Sequence, residues 1–387
     1  MEWKYSVETS SHFVRWTDPE SGVVSYLMKH DAAPFQQSFY YTNRSWTDDG
    51  RYLWIMCAFP PAGNANYGRT LAVLDFETDR LTHFCETQFS EASPVVDLDD
   101  GTVYWCNRRG IYRRSPDPEK PVERVAKMPS FASGNGIVSR LATHMTFSPD
   151  KKRLCFDAAV GNRVWIGDVD LSSGNYDVWY TFDCCRNHAQ LNPVYPDWML
   201  FAEDMWSDVE DGTFHDISCD EEGRLRRLWT MKKGEEPRLW RPLAVEARHE
   251  WWSADGNAIY YVDWDFGTIR IDTRTGESRI IDPNGTWHAH ATADERYIVA
   301  DENELWGEKW YRGCDARVHF YNTQTQKQVN IVTHAPALYT RQEPCVYHMD
   351  PHPQFCRNDT MVMYTTTVGG GVSVAVCDVA QLIQKSR

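Results

Sequence analysis

The chain has 387 residues, 42% of them apolar and 25% charged, and its 17 Trp, 19 Tyr and 16 Phe are an aromatic surplus typical of β-sheets. A formal net charge of −15 without any long basic run argues against a nucleic-acid partner. No segment reaches the roughly 18 apolar residues of a membrane span, and no apolar signal segment follows the N-terminus, so we expect a soluble, cytoplasmic protein without a membrane partner.

The cysteines predict reduced thiols. There are 11 of them without a repeating spacing, and Cys184 and Cys185 are adjacent, so a disulfide framework is not indicated.

The first element in the chain is a hairpin, with a turn rich in Asp, Pro and Gly at 18–22 and an apolar strand at 23–27. It is typical of the outer half of a sheet, and we expect the inner strands to come from 361–376. Such pairing would join the two ends of the chain and close a ring.

A repeated unit then runs to the C-terminus. An apolar or aromatic residue, a turn centred on Asp or Asn, and an apolar strand recur at 46–50, 98–101, 147–150, 195–197, 252–256, 291–295 and 355–359. Several units continue into a second hairpin, at 74–79, 169–174, 271–276 and 321–325. Each unit therefore supplies four short strands.

Four strands every ~40 to 60 residues match the blade period of β-propellers. We predict an all-β fold in which residues 1–387 form a single seven-bladed β-propeller with four-stranded antiparallel blades. The alternative, an open solenoid, would need capping repeats, and the sequence shows none.

Four histidines occupy one position in this repeat. His144, His249, His288 and His352 each lie six residues before the Asp or Asn of their turn. The strand that leads into this turn is innermost in a propeller, so the four rings should converge at one mouth of the axial channel. A single such histidine is most simply a hydrogen-bonded residue at a strand end, but the repetition favours a functional site.

The segment 347–353 holds the densest group of potential metal ligands. Residues two apart on a strand share a face, so His348, Asp350 and His352 should point together. Imidazole and carboxylate ligands suit Mn²⁺, Zn²⁺ or Ni²⁺. The alternative is a strand end at which Asp350 caps a turn before Pro351.

At these residues the chain resembles the oligogalacturonate lyase family, which comprises intracellular seven-bladed propellers that split pectic oligomers by β-elimination with a manganese-type ion. The resemblance extends over most of the chain. The segments that carry it are 39–41 with 46–50, 192–195, 249–256, His288 with Asp294, and 351–355. Of these, the segments around His249 and His352 are the most specific to the family.

The resemblance implies a metal site. His288 and His352 match metal-binding histidines of the family, while Asp350 stands where the family has a further histidine, with His348 beside it. The family's ligating Gln falls at Tyr347 without a gap, or at Gln342 with an insertion. The implied ligands are therefore His288, His348, His352 and Asp350, and the implied ion is Mn²⁺, with Zn²⁺, Ni²⁺ and Ca²⁺ as alternatives.

The resemblance also implies catalytic residues. His249 matches the active-site histidine of the family, and a gap-free register on the turn at 220–223 places His215 at the family's catalytic arginine. Both imidazoles are candidates for the base, because imidazole titrates near neutral pH. Three arginines are alternatives, namely Arg238, Arg241 and Arg248.

Substrate contacts are expected from residues near the funnel, namely His144, His188, Arg44, Tyr195, Arg248, Trp206 and Trp251. Trp251 could equally pack between blades. The predicted function is metal-assisted β-elimination of acidic oligosaccharides by a monomer or small homo-oligomer. The alternatives are a glycoside hydrolase or lyase acting on rhamnose-glucuronate linkages, and a non-catalytic binding platform.

Overall fold

Seven antiparallel sheets form the blades of a β-propeller in the computed structural model, which describes residues 4–63, 67–133, 138–241, 247–303, 315–337 and 350–387. The predicted fold class is confirmed. Below, the blades are numbered in the order in which their innermost strands occur in the chain.

The first three blades each use four consecutive strands. Blade 1 contains β3 (Phe35–Gln37), β4 (Tyr52–Ala58), β5 (Tyr67–Asp75) and β6 (Arg80–Ser90). Blade 2 contains β7 (Val95–Val96), β8 (Val103–Asn107), β9 (Gly110–Arg114) and β10 (Glu123–Lys127). Blade 3 contains β11 (Val138–Arg140), β12 (Arg153–Val160), β13 (Arg163–Asp170) and β14 (Tyr176–Phe182).

Blade 4 carries an insertion. Its sheet contains β15 (Arg186–Leu191), β16 (Trp198–Glu203), β19 (Leu228–Lys232) and β20 (Arg238–Leu239). Between β16 and β19 the chain forms a separate hairpin of β17 (Trp206–Ser207) and β18 (Phe214–His215).

Blades 5 and 6 are again regular. Blade 5 contains β21 (Arg248–Trp252), β22 (Ala258–Asp263), β23 (Gly267–Asp272) and β24 (Ser278–Asp282). Blade 6 contains β25 (His288–Ala291), β26 (Tyr297–Asn303), β27 (Ala316–Asn322) and β28 (Lys327–Ala335).

Blade 7 mixes strands from both ends of the chain. It contains β29 (Gln354–Cys356), β30 (Met361–Thr366) and β31 (Ser373–Asp378), extended outward by β2 (Val24–Met28) and β1 (Phe13–Thr17). The junction is the antiparallel pairing of Tyr26 with Val376.

The described helices are short, α1 (Ser130–Ser133) and α2 (Val379–Lys385). In the described ranges no helix is long and apolar enough to cross a membrane.

All seven predicted turns are confirmed, because each joins the first and second strands of a blade. A glycine is required in the turn of blade 5. Gly256 has φ +69°, and a Cβ on it would lie 2.3 Å from the side-chain oxygen of Asn192 in blade 4. The turn is therefore also a contact between adjacent blades.

The apolar core lies between neighbouring blades. Trp54 of blade 1 and Trp105 of blade 2 belong to one buried cluster, and the indole Nε1 of Trp54 donates to the Gly101 carbonyl at 2.8 Å. Radial packing of this kind buries both faces of each sheet and leaves the starts of the inner strands facing the axis.

Candidate active site in the axial cavity

A cavity of about 360 Å³ lies where the inner strands begin, at one end of the axis. Five histidines contribute to its wall, namely His144, His188, His249, His288 and His352. The convergence that the repeat predicted for four of them is observed.

The five cavity histidines share one structural position. In blades 3 to 6, the residue four positions after the histidine donates its backbone N–H across the turn to the chain entering the second strand. The histidines are His144, His188, His249 and His288, and the donors are Ser148, Asn192, Ser253 and Thr292. His352 likewise stands four residues before Cys356, which pairs with Met361 across the turn. The turn of blade 4 is one residue longer, since Asn192 bonds to Trp198, and its Asp197 lies nine residues after His188, so counting back six from the turn Asp does not find His188.

Three of these histidines have left-handed backbone, with φ of +56° at His188, +50° at His249 and +43° at His352. His188 and His249 lie in bulges, because the register with the neighbouring strand shifts directly after Asn187 and Arg248. A bulge re-aims a side chain, and strained backbone of this kind concentrates at functional sites.

Tyr40 stands among the five rings, a position that the sequence did not predict. Its ring stacks on His144 at 4.8 Å and makes edge contacts with His352 at 4.9 Å and with His288 at 6.0 Å. The hydroxyl lies 3.5 Å from Nδ1 of His249. Burial raises the pKa of Tyr40, so the phenol stays neutral. The only signal in the sequence was the Phe39-Tyr40-Tyr41 run before the first turn.

His288, Asp350 and His352 form a candidate metal cluster. All three are buried, and one ligand atom from each lies within 4.8 Å of the others. Nε2 of His352 is 3.7 Å from a carboxylate oxygen of Asp350. Two imidazole nitrogens and a carboxylate oxygen fit a divalent ion of the Mn²⁺ to Zn²⁺ series. The fourth predicted ligand, His348, lies outside the described residues, as do Tyr347 and Gln342.

Asp301 of β26 holds two members of this cluster. Its carboxylate accepts from the backbone N–H of His288 at 2.7 Å and from that of His352 at 3.0 Å, and it lies 3.1 Å from Nδ1 of the His288 ring. A carboxylate accepts hydrogen bonds, so Nδ1 carries the hydrogen and Nε2 keeps the lone pair that a metal needs.

On another side of the cavity a charged network connects blades 4 and 5. The Nε of Arg227 donates to Glu250 at 3.0 Å, and Nη1 of Arg227 lies 3.2 Å from Asp204. The other oxygen of Glu250 lies 3.0 Å from Nδ1 of His188. Burial opposes ionisation of Glu250, but Arg227 and His188 outweigh it and lower the pKa of Glu250 to about 2.

His144 and His249 are neutral rings. Burial lowers the pKa of each far below the ordinary value, assisted by His188 beside His144 and by His288 beside His249. Neither ring nitrogen of His144 has a hydrogen-bond partner among the described residues, although the ring is fully buried. Both nitrogens are thus available to a ligand in the cavity.

An aromatic stack supports the wall near His249. The rings of Trp264 and Trp287 stack at 4.7 Å and 5°, Trp287 lies 5.7 Å from His249, and the guanidinium of Arg248 lies 5.1 Å from Trp264. The consecutive residues Arg248 and His249 are therefore braced by two indoles that line the cavity.

Five site residues proposed from the sequence, together with the alternative bases Arg238 and Arg241, are not among the described residues that line the cavity. His215 lies on the inserted hairpin, stacked on Trp206 at 4.3 Å. Tyr195 is 43% exposed in an outer groove with Lys232 and Arg274.

The other two, Arg44 and Trp251, line a separate cavity beside the blade turns. Trp251 is buried, stacks on Tyr260 at 5.0 Å and belongs to the apolar cluster shared by blades 5 and 6, so it packs between blades. These placements follow from where the residues sit in the repeat, because the side chains at the turns lie at the far end of the inner strands.

Comparison with known proteins places the fold. No protein-family model and no curated protein matches the sequence. Among solved structures, an oligogalacturonate lyase in complex with manganese is 17% identical with a TM-score of 0.72, covering 95% of this chain and 96% of that one. An oligogalacturonate lyase from Vibrio parahaemolyticus is 16% identical with a TM-score of 0.70, covering the same shares. The chain thus has the seven-bladed fold of these lyases, at low identity.

Proposed function

We propose that the protein is a metal-dependent lyase that cleaves oligosaccharides containing uronic acid by β-elimination. The observation that carries this proposal is the cluster of His288, Asp350 and His352, buried in a cavity with three further imidazoles. Mn²⁺ is the ion we propose, supported by the donor set and by the manganese that the similar lyase binds.

The charges of the cavity favour an anionic substrate. Its wall contains three arginines and three acidic residues, namely Arg69, Arg227, Arg248, Glu91, Asp204 and Asp350. When bound at the cluster, a divalent ion adds two positive charges and supplies Lewis-acid neutralisation of a uronate carboxylate. The formal charge of −15 on the whole chain therefore does not oppose an acidic ligand at this site.

The residues around the cluster suit the proton transfers of the reaction. Elimination across C4 and C5 removes a weakly acidic proton beside the carboxylate and returns one to the leaving O4. The ring of His249 lies 4.3 Å from that of His288 and is neutral, so we assign His249 to proton transfer next to the cluster. His144, with both nitrogens available, and Arg248 are assigned to binding the sugar.

We place this activity in the cytoplasm, on short pectic oligomers. The test uses the full-length protein, loaded with Mn²⁺ and incubated with oligogalacturonate and with a rhamnose-glucuronate oligomer. Elimination forms a conjugated double bond, so we expect one equivalent of metal and a rise in near-ultraviolet absorbance on oligogalacturonate. New reducing ends without that absorbance would mean hydrolysis and overturn the proposal. Failure to bind any divalent ion would overturn it as well.

A further inference from the structure

We propose that His188 is the base that removes the C5 proton, and that Glu250 of the neighbouring blade positions it. This inference rests on the proposed function and assigns one of its two proton transfers.

The contact with Glu250 fixes the form of the His188 ring. Nδ1 of His188 lies 3.0 Å from Oε1 of Glu250, and an ionised carboxylate only accepts hydrogen bonds. In the neutral ring Nδ1 therefore carries the hydrogen, and Nε2 keeps its lone pair. The side chain is 14% exposed and lines the cavity, whereas Glu250 is fully buried. A carboxylate behind an imidazole whose other nitrogen is open is the arrangement of a general base.

Glu250 is itself held in place. Its second oxygen accepts from Nε of Arg227 at 3.0 Å, and Arg227 is anchored by Asp204 at 3.2 Å. Nη2 of Arg227 also lies 3.2 Å from Nδ1 of His188. Since the guanidinium has only donors, the carboxylate is the acceptor for both groups. The ion pair keeps Glu250 charged and so keeps it an acceptor for His188.

Among the described residues, the other cavity histidines outside the metal cluster have no carboxylate partner of this kind. His144 has no hydrogen-bond partner among the described residues, and Nδ1 of His249 faces the hydroxyl of Tyr40 at 3.5 Å. His188 stands next to His144, with ring centroids 4.9 Å apart, and its ring lies 6.1 Å from that of Tyr40, which also contacts His352 at 4.9 Å. The base and the metal cluster thus line the same cavity, and Tyr40 contacts both.

The step balances without a further reagent. Nε2 of His188 takes the proton from C5, the electrons of the C5–H bond become the C4–C5 double bond, and the C4–O4 bond breaks with its electron pair on O4. O4 takes a proton from a cavity water that His249 orients and hydrogen-bonds, and the imidazolium of His188 returns its proton to solvent. The net change is cleavage of one bond to give an unsaturated uronate and a free hydroxyl.

The test is His188→Gly in the metal-loaded full-length protein. Glycine accepts the φ of +56° at this position and leaves room for added imidazole. We expect metal content to be unchanged, kcat to fall by about 10² to 10⁴-fold, and free imidazole to restore part of it. The deuterium isotope effect on kcat for substrate labelled at C5 should increase, because proton removal becomes slower.

Glu250→Asp tests the positioning role, since it keeps the negative charge beside Arg227 on a shorter side chain. We expect kcat to fall while KM changes little, and the C5 isotope effect to increase as in His188→Gly. A folded, metal-loaded His188→Gly with undiminished turnover would overturn the assignment of the base alone. Absence of the unsaturated product with the unmodified protein would instead overturn the proposed function.

Discussion

The carboxylate of Asp301 lies 3.1 Å from Nδ1 of the His288 ring and also accepts the backbone N–H of that residue. A carboxylate in this position orients a metal-binding imidazole and raises its basicity. Because Asp301 also accepts the N–H of His352, it fixes both imidazoles of the proposed metal cluster from one point.

Asp301→Asn should weaken Mn²⁺ binding by about 10 to 100-fold, because the amide no longer fixes the His288 ring with its Nε2 unprotonated. Titration calorimetry with Mn²⁺ measures the change. Asp282→Asn is the matched control, since Asp282 is an equally buried carboxylate on a histidine, His319, away from the cavity. Equal weakening in both variants would contradict the role of Asp301.

His288→Ala should abolish stoichiometric metal binding and turnover while the fold survives, because the side chain lies at the cavity wall and outside the apolar clusters. Elemental analysis and circular dichroism report the two properties. His290→Ala is the control on the same strand. Its Nδ1 accepts the N–H of Phe355 at 3.1 Å, so its loss should lower stability by about 1 to 3 kcal/mol and leave the metal bound. A full metal complement in His288→Ala would show that the site is elsewhere.

His352→Asn should have the same effect as His288→Ala, with much weaker metal binding and no turnover. Asparagine tolerates the φ of +43° at this position better than alanine, so the backbone should be retained. Retention of tight metal binding in this variant would remove His352 from the ligand set.

His249→Asn should leave the metal bound and lower kcat by about 10² to 10⁴-fold, since an imidazole next to the cluster is lost from proton transfer. His215→Asn serves as control, because His215 stacks on Trp206 in the inserted hairpin. Steady-state rates of chromophore formation compare the two. If His215→Asn were the inactive one, the position inferred from the family register would be correct and the cavity assignment wrong.

His319, buried in blade 6, should make the free energy of unfolding depend on pH. Burial disfavours the charged ring of His319, but Asp282 at 2.9 Å and Glu302 at 3.5 Å outweigh it and raise the pKa of His319 to about 10. Arg317 pairs with Glu302 at 3.2 Å and holds it there.

A histidine whose pKa is raised in the fold contributes its whole stabilisation at pH values below its ordinary pKa of 6.5. This stabilisation is lost as the pH rises toward 10. The free energy of unfolding should fall by up to ~1.4 kcal/mol per pH unit in this window relative to His319→Gln. Urea titrations of both proteins between pH 6 and 10, about the range of the shift, measure the difference. Parallel pH profiles would mean that His319 is neutral in the fold.

The sequence predicted the architecture and part of the site because the information is local. Turn residues such as those at 46–50 specify a hairpin, and the seven copies of this segment specify seven blades. An offset of six residues identified His144, His249, His288 and His352, since position in a repeat fixes position in a blade.

The tertiary structure decided which side chains from different blades contact one another. His188 and Glu250 are 62 residues apart, and the turn Asp of blade 4 lies nine residues after His188, so the six-residue count missed it. Tyr40 reaches the rings of blades 3 to 7 only because the propeller is closed around it, while Arg44 and Trp251 lie beside the turns instead.

The repeat thus determined which residues begin an inner strand, because a hairpin is set by a few neighbouring residues. The sequence could not determine which side chains meet across the axis. That depends on how far each blade is rotated and where its inner strand bulges, as at His188 and His249, and those are properties of the assembled ring.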